Sequence, residues 1–149
     1  MPDCVFCKII KGEIPSFKIW EDKEFLAILD INPNVEGMTL VISKKHYDSY
    51  LEKMPEDVYQ RFWSAAKIVS RFLDKKLGTK RTAMVLEGMG VDHAHIKLYP
   101  LHGLSEKFQE MWGREKVFYK KYPGFIDTRL GPTVSLDKLK KLADKISKK

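Results

Sequence analysis

Cysteine is scarce: Cys4 and Cys7 are the only two among 149 residues. Two thiols cannot build a disulfide framework, and a reducing compartment argues against a structural bridge between them. Long apolar runs are missing as well, and nothing approaches the roughly 20 residues that span a bilayer. The opening "MPDCVFCKIIKGEIP" lacks the charged-then-apolar layout of a secretory leader. The cytosol is therefore the expected compartment, and no membrane partner is expected. No internal repeat, low-complexity tract or long Gly/Ser linker interrupts the chain, which leaves one domain as the economical reading.

What is present suits an ordinary globular protein, with 44% hydrophobic and 32% charged residues. Formal net charge is +7, which attracts anions without naming them. Much of that surplus sits near the end, in "KLKKLADKISKK". A basic run of this kind reads first as a solvated helix face with a basic tail, so nucleic acid is not the expected partner.

The apolar pattern then divides the chain into elements. "CVFCKIIKGE" reads as a short helix ending near Gly12. "FKIW" and "FLAILDI", separated by the polar "EDKE", predict a hairpin, and "MTLVIS" after the turn-rich "NPNVEG" predicts a third strand. "PEDVYQRFWSAAKIVSRFLDKKLG" is the clearest helix. Val58, Phe62, Ala65, Val69, Phe72 and Lys76 recur at intervals of three or four, apolar until the last. Glu56 and Asp57 suit its first turn, and Gly78 supplies the stop. "TAMVLEG" and "HAHIKLY" predict two more strands. Strands that mostly neighbour one another in sequence favour an antiparallel α+β sheet. Beyond Gly103 the chain mixes aromatic and basic residues with Pro and Gly. "SLDKLKKLADKI" then predicts a terminal helix, with Ser135 as N-cap and an apolar stripe of Leu136, Leu139, Ala143 and Ile146.

Two groups of residues carry chemistry. In "VDHAHIKLYP", His93, His95 and Lys97 fall at every second position, so a strand would place them on one face. An imidazole attacks phosphorus well when one ring nitrogen is free and the other donates a fixed hydrogen bond, which makes His95 a candidate nucleophile. Lys97 could then neutralise a phosphate oxygen. Polar residues on a wet sheet face are the plain alternative. The Cys4-x-x-Cys7 pair resembles a redox motif, but such a pair normally follows a strand, and only three residues precede Cys4. Metal binding is preferred, provided two more ligands exist. His46 and His93 would complete two thiolates and two imidazoles, a set suited to tetrahedral zinc, although the spacing is not that of a zinc finger. The alternative is two buried thiols and two unrelated histidines. His102, in "YPLHG", lies outside that alternating register.

"HAHIKLYP" resembles the active-site strand of the histidine triad (HIT) family, whose pattern is His-x-His-x-His followed by apolar residues. "CVFCKIIKGEIPS", "WEDKEFLAILDINPNVEGMTLVISKKHY" and the helix after them resemble the same family in the same order. Coverage runs from about residue 3 to about residue 103, the size of one compact domain. The resemblance implies a HIT domain over residues 1–103, on a five-stranded antiparallel sheet with a long helix. Residues 104–149 would then be an extension with one more helix, packed on that domain or on its dimer partner. It also implies a homodimer and a purine nucleotide or dinucleotide ligand. The implied activity is that of a nucleotidyl hydrolase, phosphoramidase or transferase acting at the α-phosphate through a nucleotidyl-histidine. His95 matches the nucleophile of that family. Cys4, Cys7, His46 and His93 match the ligands of a structural zinc. Asp30 matches the acidic residue that binds the ribose hydroxyls. Val5, Phe6, Ile9, Ile28 and Ile31 match the nucleobase pocket.

Departures from the pattern cluster around the phosphate. Lys97 stands where the third histidine belongs, and Gly37-Met38 replaces a glycine-histidine pair. Gly90 occupies the place of a serine or glutamine, so it offers only a backbone N–H, and Leu86 replaces an asparagine. These changes leave a second reading open: a catalytically weak nucleotide-binding or scaffold protein of the same fold.

Overall fold

Why the strands lie where they do follows from their alternation of faces. The structure, a computed structural model, describes residues 3–147. A short helix α1 (Val5–Ile10) precedes a hairpin of β1 (Lys18–Glu21) and β2 (Phe25–Leu29), and β3 (Thr39–Ser43) follows. After a single 3-10 turn come the long helix α2 (Glu56–Leu77), β4 (Thr82–Val85), β5 (His95–Pro100) and α3 (Leu136–Ser147). The five strands form one antiparallel sheet in the order β1-β2-β3-β5-β4. This is the α+β architecture the sequence leads one to expect.

Pairing fixes which residues share a face. Ala27, Val41 and Ile96 lie in line across β2, β3 and β5, and together with Phe25 and Leu98 they point to α2. Phe62 of α2 stacks on Phe25 with ring centroids 5.1 Å apart. On the opposite face Leu26, Ile42 and His95 make one row, and Ile28, Leu40, Lys97 and Val85 make the next. That second face is covered at its centre by Phe6 of α1, which joins Leu26, Ile28, Leu40 and Ile42 in a separate apolar cluster. The sheet therefore has one face for stability and another on which polar side chains meet an apolar floor.

Helix α2 keeps to its expected span and ends at Gly78 in the left-handed conformation (φ +68°). Glu56 and Asp57 in its first turn and Lys75 and Lys76 in its last complement the helix dipole. Its buried stripe differs from the expected one at the C-terminal end. Leu73 is buried, whereas Phe72 is 37% exposed: both lie about one turn beyond Val69, and the inward face, which also holds Ala66 and Ser70, takes the residue four positions on. Gly37, at φ +79°, holds a conformation that L side chains rarely adopt, and a Cβ there would also have to displace the end of the Leu77 side chain.

Residues up to Phe108 form one compact unit, and those from Gln109 form another. Within the second unit, Arg129 pairs with Asp127 and Glu115 at 2.7 Å each, and Tyr119 donates to Asp127 at 3.0 Å. Helix α3 forms as expected, and its backbone starts on the Ser135 carbonyl, which accepts from the Leu139 N–H. None of its residues is buried, so its apolar stripe, now including Leu142, faces outward. Among the described residues no helix is long and apolar enough to cross a membrane.

Candidate functional site

The segment leading into β5 places two histidines in different surroundings. Strand β5 begins at His95, two residues later than the alternation suggests, so His93 lies in the bend before it. That bend is tied down from three sides. Ala94 N–H donates to the Tyr47 carbonyl at 2.8 Å, and the backbone N–H and hydroxyl of Ser49 both donate to Asp92 at 3.0 Å. Gly88, at φ +71°, lets the loop pass close to the Ser49 carbonyl.

His93 is fully buried. Its Nε2–H donates to the Ser43 carbonyl at 2.6 Å, an arrangement that leaves the Nδ1 lone pair free. Nδ1 points at Cys4 Sγ, 3.3 Å away, and at Cys7 Sγ, 3.6 Å away. His46 Nδ1 lies 3.4 Å from Cys7 Sγ, and its ring meets that of His93 edge-on. The four ligand atoms all lie within 4.8 Å of one another and could hold a metal ion. Around a tetrahedral ion with ordinary zinc bond lengths, a sulfur and a nitrogen sit about 3.6 Å apart. The observed separations of 3.3–3.6 Å match that edge. A ligating imidazole backed by a carbonyl is also the usual way such a ring is oriented. Among the described residues the buried His46 Nε2 finds no hydrogen-bond partner, so this ring is placed by its Nδ1 side. With the metal left aside, burial and the neighbouring Cys4 thiol push the Cys7 thiol upward.

His95 is 4% exposed, and Phe6 packs edge-on against its ring. Its Nδ1–H donates to the His93 carbonyl at 2.7 Å, which fixes the tautomer and leaves the Nε2 lone pair uncommitted. Burial, followed by the nearby Lys97 charge, lowers its pKa below the usual histidine value. Such a ring is neutral near pH 7, the state a nucleophile needs.

Lys97 does not stand alone. Its ammonium lies 2.8 Å from the Glu87 carboxylate, whose side chain is 7% exposed. Burial pulls the Lys97 pKa down, but the hydrogen bond and charge of Glu87 outweigh it and leave the value raised. Glu87 escaped the sequence reading, because its place depends on cross-strand register. Val85 pairs with Lys97, so two residues further on the chain comes opposite His95.

Of the residues expected to bind a nucleotide, Phe6, Ile9 and Ile28 gather in the apolar cluster beside α1. Asp30 follows Ile28 off the end of β2, accepts from the Asn32 N–H at 2.8 Å, and acts electrostatically on His95 and Lys97. Val5 is partly exposed, and Ile31 is 79% exposed, outside that cluster. Gly90 lies at the surface of the loop before His93, with φ +91°. Met38 is buried, and His102 Nε2–H donates to the Glu36 carbonyl at 2.9 Å, away from His93, His95 and Lys97.

Comparison with known proteins gives a consistent picture. The HIT domain family profile matches residues 11–103. An uncharacterized HIT-like protein of Methanocaldococcus jannaschii is 42% identical over 116 residues, covering 72% of this chain and 88% of that protein. The adenosine 5′-monophosphoramidase HNT1 of Saccharomyces cerevisiae is 41% identical over 103 residues, covering 65% and 61%. A crystal structure of a Streptococcus mutans protein superposes with a TM-score of 0.69 at 30% identity, covering 98% of this chain and 84% of that one.

Proposed function

Because the chain belongs to the histidine triad (HIT) family, we propose that it is a nucleotidyl hydrolase that works through a covalent nucleotidyl-His95. The observation that carries this reading is the His95 ring: Nδ1–H fixed on the His93 carbonyl, Nε2 free, burial favouring the neutral form. The substrate is an adenylyl compound, nucleoside phosphoramidate or dinucleoside polyphosphate. Similarity to a monophosphoramidase supports this class.

In the proposed reaction, the His95 Nε2 lone pair attacks the α-phosphorus. The bond from phosphorus to the leaving nitrogen or oxygen breaks, its electron pair leaves with that atom, and the departing group takes up a proton from water. A second water then cleaves the phosphorus–Nε2 bond, releasing the nucleoside monophosphate and restoring the neutral ring. Lys97, with Glu87 beside it, faces the non-bridging oxygens. Asp30 accepts from the ribose hydroxyls, and Phe6, Ile9 and Ile28, with Val5 and Ile31 at the rim, hold the base. Gly90 offers its backbone N–H on the leaving-group side.

Cys4, Cys7, His46 and His93 would hold a structural zinc ion, which supplies a rigid cross-link and takes no part in the steps above. By fixing the segment that ends in the His93 carbonyl, these four residues fix the acceptor that orients His95. The working protein is a homodimer in a reducing, cytosolic setting, where both thiols stay available.

The test is to mix the protein with adenosine 5′-phosphoramidate and quench in alkaline denaturant, since a phosphorus–imidazole bond is acid-labile. Mass spectrometry should find one adenylyl group on His95, and His95→Ala should carry none while keeping its circular dichroism. Turnover by His95→Ala at the wild-type rate would overturn the reading. Lys97, Met38 and Gly90 favour the second reading, a nucleotide-binding protein with weak catalysis. Tight AMP binding without adduct or turnover would select it.

A further inference from the structure

We propose that Glu87 determines leaving-group specificity: it holds Lys97 in an ion pair beside His95, so the site favours nucleotidyl compounds with neutral or cationic leaving groups over polyphosphates. This rests on His95 as the point of attack.

Val85 pairs with Lys97 and Ile42 pairs with His95, so the chain running on from β4 carries Glu87 to the flank of the nucleophile. The Glu87 side chain is 7% exposed and that of Lys97 is 23% exposed, so their 2.8 Å contact is screened from water on most sides. A carboxylate held there keeps the ammonium in one place and also cancels its charge at a distance. Asp30 adds a second carboxylate to the charges acting on His95. One cation against two carboxylates is an unfavourable surrounding for a polyanion, yet it accommodates a single α-phosphate.

The space beyond Glu87 has the same character. Glu87 borders a cavity of about 400 Å³ whose lining includes Glu52, Glu56, Tyr50 and Tyr59, and no lysine or arginine is among the described residues lining it. Those carboxylates deepen the negative field around Glu87, which suits an amine better than a chain of phosphates.

The experiment compares the dissociation constants of AMP and ATP at low ionic strength, where charge effects are least screened. The wild-type chain should bind ATP more weakly than AMP. In Glu87→Gln, which keeps the shape and the acceptor oxygen, ATP should gain about tenfold relative to AMP, the effect of one charge about 8 Å away at an effective dielectric near 30. The double variant Glu87→Gln/Lys97→Gln removes both charges of the pair and should restore a ratio near the wild-type one. A residue that merely supports the fold would weaken both nucleotides alike. Tighter binding of ATP than AMP by the wild type would overturn the inference, and so would an unchanged ratio in Glu87→Gln. Binding of neither nucleotide would overturn the parent reading as well. Binding with the predicted ratios but no His95 adduct would remove the proposed chemistry and leave the charge filter standing.

Discussion

The behaviour of a single imidazole follows from where its two nitrogens go. His95 donates from Nδ1 and is buried, so protonating Nε2 would put a charge where water cannot solvate it. An ordinary histidine loses its neutral form as pH falls through about 6.5. In His95 that loss sets in lower, so the rate of adduct formation should stay level across that value and decline only in more acid buffer. Stopped quench-flow between pH 5 and 8 checks this, and a decline centred on the ordinary histidine value would contradict it. Stability has the matching sign. Below about 6.5 the unfolded chain binds a proton that the folded His95 resists, so the contribution of this residue is present above that pH and is lost as pH falls through its lowered folded value. The alternate positions of the two histidines and the lysine are legible in the sequence, and so is the shared face of His95 and Lys97 on β5. Glu87 is not. Nothing in "MVLEGMG" says that its glutamate will face Lys97, because that depends on the pairing of Val85 with Lys97, a relation between two segments.

At the scale of elements, α1 has little hold of its own. It is six residues long, has no side-chain cap, and buries only Phe6. A helix so short is unstable in water without tertiary support. Cys4 and Cys7 on this segment face His46 and His93 from two other parts of the chain, so a bound metal would close a long loop. Cys4→Ser with Cys7→Ser, or a strong chelator, should therefore remove about one zinc per chain and lower the thermal midpoint. It should also release Phe6 from the sheet, read as faster hydrogen exchange in residues 5–10. Full protection of that segment after metal removal would show that packing alone holds it. Helix α2 gives a contrast in the other direction. Leu73→Ala should cost about 2–5 kcal/mol and Phe62→Ala about 3–5 kcal/mol, since both side chains are buried. Phe72→Ala should cost less than either, and urea denaturation of the three variants ranks them. Sequence spacing placed α2 and its stop correctly and erred at Phe72, because intervals of three and four cannot say which of two adjacent apolar residues faces inward after four turns. It likewise set the start of β5 two residues early, since the hydrogen bonds that hold His93 in a bend come from Tyr47 and Ser49.

At the scale of the molecule, charge and core are divided unequally. Residues 1–108 contain 16 Lys/Arg and 15 Asp/Glu, whereas residues 109–149 contain 11 and 5, so nearly all of the +7 belongs to the second unit. Among the described residues, every buried apolar side chain lies between Phe6 and Pro100. Both apolar clusters and the four side chains that could hold a metal are drawn from the first unit. That unit instead presents Trp112, Phe118, Phe125, Leu136 and Ile146 to solvent, more large apolar side chains than a solitary monomer of this size usually displays. The proposed homodimer gives those side chains a place to go, and the two observations make a joint prediction. A chain cut after Phe108 should keep its zinc and a cooperative unfolding transition within a few degrees of the full chain's. It should also dissociate to monomer at concentrations where the full chain sediments as a dimer. If the cut chain lost its cooperative transition, the second unit would be part of the first unit's stability. Unaltered sedimentation would place the contact between copies elsewhere, with the open edge of β4 the next surface to examine.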